Sequence, residues 1–442
     1  MSVWVHLAAA KHPDRVAIEG PDRSMTYAEL SSAASSAAGA LQRLGAAAGE
    51  RVALALLAGT EFAIALHGCL LAGVAAVPID LRLTEAERVQ RLAGAEIVVS
   101  EPLRGAPPRG GLRSRGGLRS RGGHPSRGGL RSGGDPPAAV MHTSGTTAAP
   151  KRVVLSHGNW LASALGSAVA LGLDPAERWL CPMPLTHVGG LSIPIRSAIY
   201  ATTAVLHGRF DTDAVLAELM DPARRITLVS LVPTMLARLL DAGLERPPTL
   251  RWALLGGGPI AAALLDRADA AGVPVAPSYG MTEACSQIAT HGWPLPGVEL
   301  RTSDGEVIVR GACVSAGALA ADGWLHTGDL GRFDQRSRLA IIGRKSDTII
   351  TGGENVAPTE VEAALLAHPA VLDAGVRGRP DPEWGEAVVA TVVLRDGRTL
   401  EVEELRAFCA ARLAPFKVPK AVRIADSLPR TESGKLLRRE LG

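Results

Sequence analysis

Hydroxyl-bearing and small residues are concentrated between Thr143 and Lys151, where the sequence is TSGTTAAPK. The segment follows a short apolar stretch that ends at Met141. In such a loop, backbone N–H groups and hydroxyls can donate to phosphate oxygens, and the lysine adds a positive charge. The Gly-Lys-Ser/Thr ending of a Walker A motif is missing. The segment therefore predicts a polyphosphate-binding loop of another type, with an ordinary Ser/Thr-rich turn as the alternative.

Four further motifs follow this loop along the chain. They are YGMTE at residues 279–283, GWLHTGD at 323–329, GRKSD at 343–347 with GGENVAPTE at 352–360, and PRTESGK at 429–435. In this order, and together with the loop, they resemble the core motifs of the acyl-adenylate-forming, or AMP-binding, superfamily. That superfamily includes acyl-CoA synthetases, peptide-synthetase adenylation domains and luciferases. The resemblance extends from about residue 9 to residue 441, apart from an Arg/Gly-rich repeat.

The resemblance implies a two-step reaction that uses ATP, Mg²⁺ and coenzyme A. A carboxylate attacks the α-phosphate of ATP and gives an acyl-adenylate and pyrophosphate. The thiol of coenzyme A then displaces AMP. Because both steps join strongly charged reactants, neutralisation and alignment are expected to supply most of the catalysis.

The resemblance also assigns nucleotide contacts to matching positions. The residues implied to hold the β- and γ-phosphates are Thr143, Ser144, Gly145, Thr146, Thr147 and Lys151. The residues implied to surround the adenosine are Gly256, Gly257, Gly258 and Tyr279 at adenine, Asp329 on the ribose hydroxyls, and Arg344 on the ribose and phosphate. Thr282 is implied to donate to the α-phosphate and Glu283 to help bind Mg²⁺, both as catalytic residues. The alternatives are a strand-to-helix turn for the glycines, a helix N-terminus for the Thr-Glu pair, and an ordinary surface position for Arg344.

Two parts of the C-terminal region are assigned to different half-reactions. In the family, the lysine that matches Lys435 bridges the α-phosphate and the substrate carboxylate during adenylation. With only six lysines in the chain, the alternative of a solvated tail lysine is less favoured. The loop with Gly352, Gly353 and Glu354 lines the path of the thiol in the family, and Ser346 matches the hinge between the two domains.

Three positions depart from the usual family pattern. The phosphate loop has Ala148 and Arg152 where the family usually has glycine. Ala148 is expected to restrict the loop without abolishing binding, whereas Arg152 either adds a phosphate contact or points to solvent. The third departure is Thr186, which stands where the ligases described next have phenylalanine.

The acid substrate is indicated by a narrower resemblance. Segments 278–288 (SYGMTEACSQI), 254–259 (LLGGGP) and 344–347 (RKSD) look like those of o-succinylbenzoate–CoA ligases from menaquinone biosynthesis. Their substrate carries a second carboxylate, which is costly to bury unpaired and so requires a cation. Arg196 is our candidate, with a surface helix arginine as its alternative. His187, otherwise a core histidine, is expected to line the acyl pocket as a catalytic residue, and Ser286 to bond the aromatic carboxylate.

Other functions remain open at this stage. One is ligation of a different aryl or short acyl acid, for which Arg196 would not be needed. Adenylation for a carrier protein is less favoured, because no carrier or condensation segment is attached. The alternative from another class is an RNA-binding pseudoenzyme built around the Arg/Gly repeat, against which Lys151, Asp329 and Lys435 argue.

The pattern of elements predicts an α/β fold with three parts. Helical and strand patterns alternate through most of the chain, as in parallel sheets with helical crossovers. They include an Ala-rich helix from Tyr27 to near Gly45 and short apolar strands at 203–206 and 228–231. We predict a large N-terminal AMP-binding domain (1–343) of parallel-sheet subdomains plus a β-rich segment, a hinge (344–347), and a small mobile α+β C-terminal domain (348–442). Residues 109–134 are predicted to be a flexible Arg/Gly-rich insert.

Composition and charge argue against nucleic acids and membranes as partners and leave small molecules as the expected ones. The net charge of +3 falls to −4 when the seven arginines of residues 109–134 are left out, so no global nucleic-acid binding is indicated. Five scattered cysteines and a start without a signal-peptide pattern favour a cytoplasmic location. The apolar run 62–79 contains His67 and predicts a buried helix and strand rather than a membrane span. Homo-oligomer formation stays open.

Overall fold

The computed structural model describes residues 4–92, 94–103, 135–143, 151–430 and 436–441. The predicted Arg/Gly-rich insert lies outside the described residues. The helices are α1 Trp4–Lys11, α2 Tyr27–Arg43, α3 Thr60–Ala72, α4 Glu85–Leu92, α5 His157–Leu171, α6 Val188–Tyr200, α7 Thr212–Met220, α8 Pro233–Asp241, α9 Ala262–Ala270, α10 Pro358–Leu366 and α11 Val402–Ala410.

Most strands are short and lie between helices. The first group is β1 Val16–Glu19, β2 Ser24–Thr26, β3 Arg51–Leu54, β4 Ala75–Pro78, β5 Ile97–Val99, β6 Pro137–Thr143, β7 Lys151–Ser156, β8 Arg178–Cys181, β9 Thr203–Leu206, β10 Leu228–Leu231, β11 Trp252–Leu255 and β12 Val275–Met281. The second group is β13 Ser286–Thr290, β14 Trp293–Pro294, β15 Val298–Ser303, β16 Glu306–Gly311, β17 Leu325–Phe333, β18 Leu339–Arg344, β19 Ile349–Thr351, β20 Glu354–Val356, β21 Val371–Asp381, β22 Gly385–Leu394 and β23 Ala421–Ile424.

Two mostly parallel sheets form the N-terminal region. The larger has the order β14-β13-β12-β11-β10-β8-β9-β1-β2, and its six strands from β12 to β1 run parallel. The smaller has the order β5-β3-β4-β6-β7 and is parallel except at the β6–β7 hairpin. Because the carboxyl ends of parallel strands meet at one edge, loops distant in the sequence converge there.

Local sequence accounts for the helices between these sheets. Helix α2 begins where Thr26 and Glu29 form a reciprocal capping box, and its Ala-rich inner face is buried. The predicted helix from Tyr27 to near Gly45 is therefore confirmed. Helix α3 is buried on nearly every side and leads into β4, as the apolar run 62–79 predicted. None of the helices described in this structure has the length and apolarity needed to cross a bilayer.

The remaining two sheets are mainly antiparallel. Strands β15 to β18 form the β-rich segment, and β20-β19-β22-β21, with β23 added parallel to β22, form the last sheet against α10 and α11. The predicted α/β fold class is thus confirmed. A 3₁₀ turn, Lys345–Asp347, connects β18 to β19 where the hinge is predicted. The domain limits 1–343, 344–347 and 348–442, and the mobility of the last part, stay predictions.

Candidate active site

Three predicted nucleotide contacts meet in one hydrogen-bonded group. The Tyr279 hydroxyl donates to Oδ2 of Asp329 at 2.8 Å, and Nε of Arg344 donates to Oδ1 of the same carboxylate at 2.7 Å. Asp329 and Arg344 are cross-strand partners on β17 and β18, whereas Tyr279 comes from β12 of the large sheet. The group therefore joins the parallel sheet to the β-rich segment.

The electrostatics of this group suit recognition of neutral hydroxyls. Asp329 is only 6% exposed, and its carboxylate has the Arg344 guanidinium as a counter-charge. Burial, and then the negative charge of Asp329, raise the pKa of Tyr279 well above its usual range, so the phenol stays protonated and can donate. Two carboxylate oxygens held in this way can accept two adjacent hydroxyls.

The predicted adenine-side glycines lie next to Tyr279. They follow β11, and a methyl group on Gly256 would come within 3.0 Å of the Ser278 carbonyl oxygen. Gly257 has φ +80°, a left-handed conformation that favours glycine. Because these positions carry no side chains, their backbone is accessible. The geometry is compatible with both interpretations of the triplet, a strand-to-helix turn and a backbone that adenine can approach.

The phosphate-side residues stand at the base of the β6–β7 hairpin. Thr143 ends β6, Lys151 begins β7, and the two are cross-strand partners. Nζ of Lys151 lies 4.0 Å from Oε1 of Glu283, whose side chain is 17% exposed. Thr282 and Glu283 begin the 3₁₀ turn Thr282–Ala284 between β12 and β13. The Lys151 cation of the hairpin and the Glu283 carboxylate of the β12–β13 turn therefore lie close together.

Other predicted residues of this site cannot be placed. Ser144, Gly145, Thr146, Thr147 and Lys435 lie outside the described residues, and so does Ala148. Their assignments stay predictions from the sequence. Arg152 is described; it is exposed and is the cross-strand partner of His142.

Arg196 is a buried residue of α6. It is 1% exposed, so the alternative of a surface helix arginine is wrong. Its Nη2 donates to Oγ of Ser163 at 2.9 Å, and Ser163 donates to the Cys285 carbonyl at 2.6 Å. The guanidinium also faces the Trp179 ring, with 5.7 Å between Cζ and the ring centroid. Within the described part of the chain it has no carboxylate partner, its Nε is unpaired, and burial lowers its pKa.

His187 and Ser286 lie at the starts of two elements, α6 and β13. His187 is the N-cap residue of α6 and is exposed, so the alternative of a core histidine is wrong. Ser286 is partly buried and has φ +90°, directly after Cys285 with φ +53°. The Arg196–Ser163–Cys285 chain therefore supports the turn that carries Thr282, Glu283 and Ser286.

The predicted thiol-path loop belongs to the last sheet. Gly352 and Gly353 connect β19 to β20 with φ of +58° and +83°, and Glu354 is exposed at the start of β20. The Gly352 N–H donates to the Trp384 carbonyl at 2.8 Å, and a methyl group on Gly352 would lie 3.0 Å from the Trp384 ring. Through Trp384, the loop contacts the β21–β22 connection of its own sheet.

Three supporting residues were missed by sequence reasoning. Thr327 Oγ1 accepts from the Asp329 N–H at 3.1 Å, and Glu306 Oε1 accepts from the Gly328 N–H at 2.9 Å. Glu306 also accepts from Nζ of Lys345 at 3.3 Å, which ties the predicted hinge to the β-rich segment. Thr327 belongs to the GWLHTGD motif and could have been singled out. Nothing in the sequence around Glu306 or Ser163 indicates a role.

Comparison with known proteins agrees with this geometry. The AMP-binding enzyme family matches residues 5–317, and the AMP-binding enzyme C-terminal domain matches residues 360–435. The chain belongs to the AMP-binding enzyme family. A 2-succinylbenzoate–CoA ligase from Bacillus licheniformis is 39% identical over 477 residues, covering 99% of this chain and 98% of that protein. The predicted family membership is therefore confirmed.

Solved structures of AMP-binding enzymes show the same fold over the whole chain. The o-succinylbenzoate CoA synthetase of Bacillus subtilis in complex with its acyl-adenylate intermediate has a TM-score of 0.87 and 35% identity, covering 100% of this chain and 98% of that one. The same synthetase with ATP and magnesium ion has a TM-score of 0.86 and 35% identity, covering 99% of this chain and 98% of that one.

Proposed function

We propose that this AMP-binding enzyme is an ATP-dependent acid–thiol ligase that joins 2-succinylbenzoate to coenzyme A through an acyl-adenylate, a step of menaquinone biosynthesis. The observation that carries the proposal is the convergence of Tyr279, Asp329 and Arg344 into one group, in a chain that such ligases match over its whole length. The products are 2-succinylbenzoyl-CoA, AMP and pyrophosphate.

In the first step, a substrate carboxylate oxygen bonds to the α-phosphorus of ATP. The bond from that phosphorus to the bridging oxygen breaks, and pyrophosphate leaves with the electron pair. Asp329 holds the ribose hydroxyls, Tyr279 packs on the adenine, and Lys151 neutralises the leaving phosphates. Thr282 donates to the α-phosphate, and Lys435 bridges that phosphate and the attacking carboxylate. The roles of Lys151, Thr282 and Lys435 concern charges that increase or move in the reaction, where fixed donors are most effective.

The residues present fit a magnesium ion bound together with ATP. Mg²⁺ in nucleotide sites typically takes one or two carboxylates along with substrate phosphates. Glu283 offers one largely buried carboxylate beside Lys151, and no cluster of three or more potential metal ligands occurs in the described ranges. Glu283 would hold the ion, which supplies neutralisation of phosphate charge when bound.

In the second step, the coenzyme A sulfur bonds to the acyl carbon and the acyl–phosphate oxygen bond breaks. AMP leaves, and the thiol proton is released. The Gly352–Gly353 turn is suited to a narrow passage, because neither residue carries a side chain. We assign the thiol path to this turn and to Glu354, and a rotation about Ser346 brings the turn to the acyl carbon.

The substrate's second carboxylate is assigned to Arg196. A buried guanidinium without an anionic partner is unfavourable, and a substrate carboxylate would compensate it. His187 lies at the start of the same helix and is accessible, as an acyl-pocket residue must be. Ser286 follows Cys285, whose carbonyl accepts from Ser163 in the Arg196–Ser163–Cys285 chain, and we assign it to the aromatic carboxylate.

The proposal is tested by acid-dependent ATP–pyrophosphate exchange with the purified protein. We expect exchange with 2-succinylbenzoate, much weaker exchange with benzoate and fatty acids, and thioester formation once coenzyme A is added. Preference for another acid would favour the second ligase hypothesis. Absence of exchange with every acid, together with RNA binding, would contradict the enzyme assignment. Cytoplasmic location and homo-oligomer formation stay predictions.

A further inference from the structure

Four basic side chains project from the same face of the five-stranded sheet or from the helix that covers it. Ala53, Val140 and Val154 of this sheet form one apolar cluster with Leu92 at the end of α4. Residues two positions apart on a strand share a face. Arg51, His142 and Arg152 therefore lie on the same face as this cluster, and Arg91 precedes Leu92 on α4.

Two observations show that these side chains are close to one another. A methyl group at Gly94 would lie 2.6 Å from Nη1 of Arg51 and 3.8 Å from Nη1 of Arg152. Burial, and after it the positive charges of Arg91, Arg152 and Arg51, lower the pKa of His142 to about 4. The imidazole is therefore neutral at physiological pH and offers one N–H donor.

Among the residues that the structure describes, the cluster has no carboxylate paired with it. Within the described ranges, Arg51, Arg91 and Arg152 form no ion pair with a carboxylate. Both ring nitrogens of His142 and Nε of Arg91 are buried and unpaired, and so is Nε of Arg88 one turn earlier on α4. The neighbouring stretches 104–134 and 144–150, and Ala93, contain no acidic residue.

This face differs from the one assigned to ATP. Thr143 follows His142 on β6, and Lys151 precedes Arg152 on β7. The side chains of Thr143 and Lys151 therefore project from the opposite face of the hairpin. Lys151 accordingly lies toward Glu283, on the catalytic side. The residues of the cluster on the hairpin, His142 and Arg152, therefore lie on the opposite face from Thr143 and Lys151, and the assignment of the cluster does not rest on the proposed ligase function.

We propose that Arg51, Arg91, Arg152 and His142 form a second, non-catalytic binding site for a phosphate group. Guanidinium groups bind phosphate oxygens through paired, charge-assisted hydrogen bonds, and the neutral imidazole adds a donor. A phosphate dianion compensates the clustered positive charge that the described carboxylates leave unpaired. The phosphate can belong to free pyrophosphate or phosphate, or to coenzyme A, and the experiment separates these sources.

The test is isothermal titration calorimetry on the full chain at constant ionic strength. Saturating α,β-methylene-ATP occupies the catalytic nucleotide site, and the probes are phosphate, pyrophosphate, coenzyme A and dephospho-coenzyme A. We expect Arg91→Gln and Arg152→Gln each to weaken binding of a phosphate-bearing probe by about tenfold or more. Arg338→Gln is the matched control, because Arg338 is an exposed arginine paired with Asp334, and it should leave the affinity unchanged.

The outcomes are distinguishable. Variant-sensitive binding of phosphate or pyrophosphate assigns the site to a free anion. Variant-sensitive binding of coenzyme A but not of dephospho-coenzyme A assigns it to the 3′-phosphate. Because Arg152 is exposed, its substitution tests the site even if the Arg91 variant does not fold. Failure of every probe to bind, or equal affinity in Arg152→Gln and the unmutated protein, would overturn the proposal.

Discussion

At the scale of single residues, the fully buried charge of Arg196 is the clearest candidate for substrate selection. Its described partners are a serine hydroxyl and an indole ring, neither of which carries a negative charge. The cost of burying a guanidinium without an anion is high, so such a residue is kept only where something else compensates it. In our proposal, a dicarboxylic substrate provides that compensation while it is bound.

Arg196→Ala should therefore raise KM for 2-succinylbenzoate far more than KM for benzoate. Loss of one charge-assisted pair corresponds to about 1.5–3 kcal/mol, or roughly 10- to 150-fold. Steady-state kinetics with both acids measure the effect, and the ratio cancels any general loss of stability. Arg196→Lys keeps the charge and should restore part of the ratio. If KM rises by the same factor for the two acids, the second carboxylate is bound elsewhere.

Asp329 is predicted to matter for ATP rather than for the acid. In Asp329→Asn one acceptor oxygen becomes an NH₂ group that faces a donor, so a ribose hydroxyl or Arg344 loses its partner. We expect kcat/KM for ATP to fall by about 10- to 100-fold with little change in KM for the acid. Asp334→Asn, at an exposed turn, is the control and should have no such effect. An unchanged kcat/KM for ATP would contradict the ribose assignment.

At the scale of elements, the β12–β13 turn depends on close backbone approach. A methyl group on Gly280 would lie 1.8 Å from the Ser286 carbonyl oxygen, which is far inside contact distance. Cys285 and Ser286 both have left-handed backbone conformations in the same turn. The turn that presents Thr282 and Glu283 is thus held by backbone geometry that only a glycine at position 280 permits.

Gly280→Ala should cost about 3 kcal/mol or more in the free energy of unfolding, because the clash is with backbone and cannot be relieved by a side-chain rotation. Urea unfolding followed by tryptophan fluorescence measures the change. Gly317→Ala is the matched control: Gly317 has negative φ and no atom within 4 Å of the added methyl group, so it should be close to neutral. Equal effects of the two substitutions would show that the close approach is not important.

At the scale of the whole molecule, the two half-reactions make different demands on the C-terminal region. In the proposed mechanism Lys435 serves adenylation and the Gly352–Gly353 turn serves thioester formation, yet more than eighty residues separate them in the sequence. The short connection Lys345–Asp347 is linked to both sides, through Lys345 to Glu306 and through Asp347 to Arg438. These exposed or partly exposed ion pairs are weak, so they can break as the connection rotates.

Ser346→Pro should separate the two steps. Proline fixes φ near −65° and removes an N–H group, so it restricts the backbone change that a hinge must absorb. We expect single-turnover pyrophosphate release to persist while the thioester yield after addition of coenzyme A falls sharply. Ser346→Ala should behave like the unmutated protein. Thioester formation at the unmutated rate in the proline variant would place the pivot elsewhere.

The sequence alone determined the family, the order of elements and many of their limits. Strands at 203–206 and 228–231 occur where the apolar runs predicted them, and the 27–45 helix begins at its capping box. These features depend on local sequence patterns. The phosphate loop and the GWLHTGD motif are also continuous stretches of the sequence. Local chemistry is therefore enough to identify them.

Only the tertiary structure decided which side chains are buried and which meet. Tyr279 and Asp329 are fifty residues apart and come together because β12 and β17 belong to sheets that pack against each other. Arg196, whose sequence context allowed a surface position, is buried because α5 and the β12–β13 turn pack around it. The Arg51–His142–Arg152 face follows from the strand order β3-β4-β6-β7. Burial and charge pairing are set by such long-range packing, which no local pattern encodes.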